Sequence, residues 1–413
     1  MRKRSFWIVA LLFVSAVINY LDRQSLSILA RTIQTDLHLT DLDYSRIVQL
    51  YLLPYTIAFM LAGRLTDWLK PRKAMAAFIF LWSVANLCTG FVRTGMQLGL
   101  TRFFLGLGEP GNWTASPKAI SDTLDSKTRP LALGIISVGA TVGAVVSPPV
   151  ISFLALRFGW RSAFVATGAL GLLWIVPWLF TYRQPTEEPA PEPPAGNALG
   201  LELKRWKQLM TQREVWLLTI LRMVSDSVWY FYLFWFPKYL SDARHLTLRQ
   251  LGSTAWIVYV AAGLGSILAG LAVSRRIGRG GPPVQSERAV MTVLACMAPV
   301  GAMIPLASHL SWVLFLAAIV VFAQVGWQTL AMALAFNYFP SEIVATAWGF
   351  ACAGSGLGGL VSTNLIGHTI TSFSYTPVFY ALAVLHPIAL IFLWRIRAER
   401  SATIALRPAP GIS

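Results

Sequence analysis

Six charged residues stand inside long apolar runs of this chain: Asp22 and Arg23, Arg102 and Glu109, and Arg222 and Asp226. A charge at bilayer depth costs several kcal/mol unless it faces a cavity or another charge, so these are the first candidates for function. Asp22 and Arg23 are adjacent, which on a helix sets them about 100° apart and denies them a shared pair geometry. Arg23 offers a permanently charged planar fork suited to a carboxylate. Asp22 is then free to pair, or to take up a proton, elsewhere. Arg102 and Glu109 are two helical turns apart, on one face, with roughly 10 Å between their backbone levels. Glu109 is the deeper, and a carboxylate in a cavity that gains and loses a proton as its surroundings change is what a proton-coupling site requires. The plainer alternative is that Arg102 and Glu109 only hold helices together. Arg222 and Asp226, at i and i+4, read as a structural pair along one helix.

Uncharged groups complete the candidate site. Tyr20, Tyr55, Trp229, Tyr232 and Gln328 are placed to line a cavity, where hydroxyls, indoles and amides bond sugar hydroxyls, and Asn112 and Arg102 are counted with them as substrate-binding, Arg102 as the next candidate after Arg23 for a carboxylate. For each aromatic, packing or a place in the interfacial belt is an equally open reading. Other chemistries find no support. The five histidines lack metal-ligand spacing, and Cys88, Cys296 and Cys352 all lie in apolar stretches with no CxxC pattern. No GxxxxGK[ST] loop is present, so the chain has no nucleotide motor of its own. No cofactor, metal or catalytic residue is expected. Asn112-Trp-Thr114 spells a glycosylation acceptor, but inside an apolar span where the machinery does not reach.

The elements that must position these groups are membrane helices. The chain has 413 residues, 55% hydrophobic and 13% charged, with a mean hydropathy of +0.59. That mixture belongs to a bilayer rather than to water. A crossing needs about 20 mainly apolar residues, and twelve are placed, at 5–30, 44–66, 74–93, 97–121, 130–156, 161–182, 214–238, 251–274, 288–308, 311–337, 343–371 and 375–395. The apolar run after Met1-Arg-Lys-Arg lacks a small-x-small cleavage site and continues through Asn19, Asp22 and Arg23, so it reads as a retained first helix.

Residues 183–213, rich in proline and then in lysine and arginine, read as a cytoplasmic linker between six-helix halves at 1–182 and 214–396, with a cytoplasmic tail at 397–413. The formal charge of +16 is a topology signal and not a nucleic-acid surface, because the basic residues sit between apolar runs. Arg2-Lys3-Arg4, Arg72-Lys73, Lys204-Arg205 and Arg275-Arg276 all fall on the side of the N-terminus, so both termini are expected in the cytoplasm. Two repeats support the halves. Gly63-Arg-Leu-Thr-Asp67 with Arg72 and Lys73 follows the second crossing, and Gly270-Leu-Ala-Val-Ser274-Arg275-Arg276 follows the eighth. Gly139-x-x-x-Gly143 and Gly354-x-x-x-Gly358 occupy matching places in the fifth and eleventh, where small residues allow close helix approach.

The Gly63-x-x-x-Asp67 loop with Arg72 resembles the loop signature of the major facilitator superfamily, with Trp68 and Lys70 standing where that family usually has arginine and glycine. Ile18-Asn19-Tyr20-Leu21-Asp22-Arg23, combined with Gly108-Glu109-Pro-Gly-Asn112-Trp113, resembles the anion:cation symporter branch, and Val228-Trp229-Tyr230-Phe-Tyr232 looks most like bacterial hexuronate transporters. The resemblance implies an all-α integral membrane protein of twelve helices in the bacterial cytoplasmic membrane, working as a monomer and not as an enzyme. It implies proton symport of a sugar acid by alternating access. Asp22 and Glu109 match the protonating acids, Arg23 the substrate-carboxylate residue, Tyr20 and Tyr55 the substrate tyrosines, and Gly63, Asp67 and Arg72 the conformational loop. An aromatic or dicarboxylic anion is an alternative cargo, suggested by Thr141 and Leu330 where those transporters carry other polar residues. A transporter-like membrane sensor is the alternative of another class.

Overall fold

A computed structural model describes residues 3–124, 128–183, 210–339 and 344–397. Most of the expected linker and tail, at 184–209 and 398–413, therefore lies outside the described residues. Within them the chain is helical with no strand, and twelve crossings are present. The first is α1 (Lys3–Ile28), followed by the short α2 (Ala30–Leu37). The second and third share α3 (Asp41–Thr89), and the fourth is divided into α4 (Gly95–Gly108) and α5 (Pro110–Thr123). The fifth and sixth are α6 (Arg129–Phe158) and α7 (Trp160–Thr181). The seventh runs through α8 (Arg213–Tyr230), a π turn at Phe231–Trp235, and α9 (Phe236–Asp242). The eighth joins α10 (Leu248–Thr254) to α11 (Trp256–Gly278), and the ninth joins α12 (Pro283–Met297) to a 3₁₀ turn at Ala298–Leu306. The last three are α13 (Leu310–Tyr338), α14 (Val344–Ser372) and α15 (Thr376–Arg395). Nine of these helices are long and apolar enough to cross a membrane by length and composition.

Two local breaks have clear causes. Pro110 has no N–H to continue the ladder, and the fourth crossing is interrupted at Glu109. The second and third crossings, expected as separate helices, run on as one assigned helix with Lys70 as its single non-helical residue, at φ 64°, ψ 152°. Lys70 thus occupies a backbone region that only glycine adopts without strain. Around it, Asp67 pairs with Lys118 at 3.6 Å, and Arg72 donates to the Leu179 carbonyl at 2.8 Å, at the C-terminal end of α7. A β-carbon on Gly63 would meet nothing within 4 Å.

Glycines bring helices into direct backbone contact at corresponding places in the fifth and eleventh crossings. A β-carbon on Gly143 would lie 2.7 Å from the Val17 carbonyl oxygen and 2.8 Å from the Tyr20 β-carbon, so α6 packs directly on α1. One on Gly358 would lie 2.0 Å from the Met223 carbonyl oxygen, so α14 packs directly on α8. The first contact fixes the rotation of the helix that carries Arg23, the second that of the helix that carries Arg222.

Among the described residues, polar contacts between the first six crossings and the last six gather at the end where α1 finishes and α3 begins. The buried Lys238 ammonium lies 2.6 Å from Asp41 and also pairs with Asp242. Arg31 donates to the Ser241 carbonyl at 2.5 Å, Tyr44 to the Phe234 carbonyl at 2.6 Å and Ser45 to the Thr363 carbonyl at 2.8 Å. Further in, Gly356 abuts Thr56, whose hydroxyl oxygen would lie 2.0 Å from a β-carbon there. These contacts join the two halves at this end.

Candidate functional site

Arg23 lies in the last third of α1, 7% exposed, with its guanidinium among three tyrosine rings: 4.9 Å from the centre of Tyr55, 5.2 Å from Tyr20 and 5.9 Å from Tyr51. The rings present negative faces to the cation and exclude water from it. Two of its nitrogens converge on one oxygen of Glu109. Nε donates to Oε2 at 2.9 Å and Nη2 at 2.6 Å, while Nη2 also reaches Asn19 Oδ1 at 3.5 Å. The Tyr51 hydroxyl donates to the same Oε2 at 2.6 Å. Among the described residues Glu109 Oε1 is buried without a hydrogen-bond partner. One carboxylate oxygen thus takes three donors and the other none of those described. Glu109 sits at the junction of α4 and α5, immediately before Pro110, with its own backbone in the α region at φ −59°, ψ −36°.

Asp22 belongs to a second cluster, as its rotation about α1 requires. Its Oδ1 accepts from Asn86 Nδ2 at 2.6 Å, which also donates to Thr167 Oγ1 at 2.8 Å. On the other side of that amide, Arg102 Nη2 donates to Asn86 Oδ1 at 3.0 Å and to Thr89 Oγ1 at 2.6 Å. Asn86 stands between the acid and the arginine, so their coupling passes through an amide. Asp22 Oδ2 and Arg102 Nε and Nη1 are buried and unpartnered among the described residues. Arg102, 1% exposed with Phe164 beneath its guanidinium, sits in this cluster and not among the tyrosines around Arg23. Arg102 and Glu109, expected on one helix face, take different partners: Asn86 and Thr89 for Arg102, Arg23 and Tyr51 for Glu109.

A third cluster lies in the second half. Arg222 and Asp226 form the i, i+4 pair at 2.8 Å, and Asp226 Oδ1 also accepts from Gln324 at 3.2 Å and Gln328 at 3.1 Å. The Arg222 guanidinium lies over Trp348 at 4.8 Å. The remaining expected residues are dispersed. Asn112 is fully buried and its Oδ1 accepts from Ser15. Tyr232 is buried between Phe231 and Phe236, and its carbonyl, freed by the π turn, accepts from the Tyr259 hydroxyl at 3.3 Å. Trp229 is 9% exposed, one residue from Tyr230, which stacks on Phe234. Phe234 in turn meets Tyr51 edge-on at 5.7 Å. Tyr51 and Asn86 take central places that charge and hydropathy did not single out. Their signals were positional: Tyr51 stands four residues before Tyr55, and Asn86 continues the polar stripe Ser83, Asn86, Thr89. Among the described residues, no group of three or more His, Cys, Asp and Glu could hold a metal ion.

Buried charge clusters inside a twelve-helix membrane bundle define a transport protein. The chain matches the Major Facilitator Superfamily over residues 12–351 and belongs to that family, whose members are transporters and not enzymes. It is 30% identical over 309 residues to the probable L-galactonate transporter of Escherichia coli K12, covering 72% of this chain and 68% of that one. With the hexuronate transporter of the same organism it shares 25% identity over 409 residues, 96% of this chain and 95% of the other. The crystal structure of a D-xylose-proton symporter superposes with a TM-score of 0.75 at 15% identity, covering 96% of this chain and 99% of that one.

Proposed function

We propose that this protein imports a sugar acid across the bacterial cytoplasmic membrane by proton symport, with both termini and the 183–213 linker in the cytoplasm. The observation that carries the reading is the Arg23–Glu109 pair, with its 2.6 Å contact inside the tyrosine cage. A substrate carboxylate and Glu109 compete for the same guanidinium. While Glu109 is ionised, Arg23 is occupied. Once Glu109 is protonated, its hold weakens and the fork is released to the substrate, so that proton and anion binding favour each other. Asp22, linked to Arg102 through Asn86, supplies a second acid whose charge state is sensed one helix away. Tyr20, Tyr55 and Trp113, all half-buried, border the cage with groups that bond or stack on a sugar. The relatives named for L-galactonate and hexuronate transport support a sugar acid as the cargo. Under this orientation the contacts around Lys238 join the two halves at the outer end.

The test is uptake into proteoliposomes under an imposed inward proton gradient, with unlabelled glucuronate, galactonate, galactarate and benzoate as competitors. A sugar acid should compete and accumulate, and benzoate should not. Arg23→Lys keeps the charge but offers one point donor in place of the fork. At roughly 1.5–3 kcal/mol for a charge-assisted hydrogen bond, it should weaken apparent affinity about ten- to a hundredfold. Unchanged affinity in that variant would remove Arg23 from carboxylate recognition.

A further inference from the structure

The two halves touch along two seams, each made of one crossing from either half. In the first, α3 lies against α14, with Thr56 at Gly356 and Ser45 at Gly367. In the second, α6 lies against the eighth crossing, with Thr141 at Gly263 and Ser152 at Gly252. A β-carbon on Gly356, Gly367, Gly263 or Gly252 would come to 2.0, 2.5, 2.6 or 2.6 Å from the facing side chain. Each time the hydroxyl residue belongs to the first half and the glycine to the second.

Both seams keep one register. Thr56 back to Ser45 is eleven residues and Gly356 on to Gly367 is eleven; Thr141 on to Ser152 and Gly263 back to Gly252 repeat the count. The paired helices are therefore antiparallel. Eleven residues at about 100° each return to within about 20° of the starting direction, so the contacts on each helix share one stripe.

Seven residues further along each stripe, two turns away from the Lys238 end, stand Gly63 and Gly349 in the first seam and Gly134 and Gly270 in the second. A β-carbon on any of these four would meet nothing within 4 Å among the described residues. Glycine is a poor helix former, and no contact in this conformation requires it at these places. Both interfaces thus continue, in register, onto faces that stand open.

We propose that these four glycines are the contact surface of a second conformation, in which Gly63 meets Gly349 and Gly134 meets Gly270 as the halves close at the end away from Lys238. The occupant of each open face is the opposite half of the same chain, at the register the existing contacts set. With glycine on both sides, backbone reaches backbone as it does where Gly358 packs on Met223. The assignment rests on the alternating access in the proposed import and does not depend on which anion is carried.

Disulfide trapping of the full-length protein in membranes tests it, with Cys88, Cys296 and Cys352 replaced by serine. Gly63→Cys with Gly349→Cys, and Gly134→Cys with Gly270→Cys, should crosslink under mild oxidation, because a disulfide needs Cα atoms within about 7 Å. Gly63→Cys with Ala351→Cys, about 200° around α14 from the stripe, should crosslink at least tenfold less. Gly63→Ala with Gly134→Ala adds one β-carbon to each seam. It should hold or raise the thermal unfolding midpoint, since alanine favours helix, and yet slow galactonate counterflow at least tenfold. Gly278→Ala, whose partner in the same register would precede the start of α6, should leave counterflow unchanged. Missing crosslinks in the in-register pairs, an equal yield from the off-register pair, or full counterflow in Gly63→Ala with Gly134→Ala overturns the proposal. Wild type that carries no organic acid defeats the import reading, and the crosslinks then decide the register without it.

Discussion

Replacing Glu109 by glutamine should separate the proposed proton coupling from transport. The carboxylate oxygen Oε2 accepts from Arg23 Nε at 2.9 Å, from Arg23 Nη2 at 2.6 Å and from the Tyr51 hydroxyl at 2.6 Å, and the whole residue is buried. A glutamine carbonyl still accepts these bonds, but without charge. A hydrogen bond to a charged group contributes about 1.5–3 kcal/mol and a neutral one about 0.5–1.5 kcal/mol, so the two guanidinium bonds together weaken by about 2 kcal/mol. That weakening is what a substrate carboxylate gains in the competition for Arg23. It corresponds to roughly thirtyfold tighter substrate binding in the variant. Uptake driven by an imposed pH gradient should be lost in Glu109→Gln, because an amide has no proton to release, while counterflow without a gradient should persist. The assay is paired: gradient-driven accumulation and counterflow in the same liposomes, with substrate affinity measured beside them. Wild-type accumulation in the variant would refute the coupling role, and unchanged affinity would refute the competition on which it rests.

Three further outcomes follow from other parts of the molecule. Lys238, 2% exposed between Asp41 and Asp242, closes one end, and Lys238→Met leaves two carboxylates facing each other there; breaking a buried pair costs about 3–5 kcal/mol. A cysteine placed at the buried Ser45 should become reactive to a membrane-impermeant maleimide in that variant, and unchanged protection would exclude the latch. Lys70→Gly relieves a residue at φ 64°, a conformation worth about 1–3 kcal/mol of strain, and should raise the thermal unfolding midpoint unless the strain is absent. In a cysteine-free background in intact cells, a cysteine replacing exposed Arg249 should label with an impermeant reagent and one replacing exposed Arg279 should not; the reverse pattern would invert the proposed orientation.

The twelve crossings were legible because a bilayer imposes a length and a composition that survive in a one-dimensional hydropathy sum. The observed helix bounds stay near the expected ones, from α1 at Lys3–Ile28 to α15 at Thr376–Arg395. What hydropathy does not carry is helix rotation. Residue spacing placed Arg102 and Glu109 on one face, and yet Glu109 pairs with Arg23, 86 residues away, while Arg102 turns to Asn86 and Thr89. The difference lies in terms that act between helices, such as the Gly143 contact with Val17 that brings α6 directly onto α1. The adjacency of Asp22 and Arg23 was more informative, since a 100° offset keeps neighbours on one helix from sharing a single pair geometry. Their partners differ accordingly, with Glu109 and Tyr51 for the base and Asn86 for the acid. A buried ion must be satisfied by whatever polar atoms share its depth. The search that would have found Tyr51 and Asn86 is therefore for uncharged donors on neighbouring crossings at the level of each charge, and not for a matching opposite charge on its own helix.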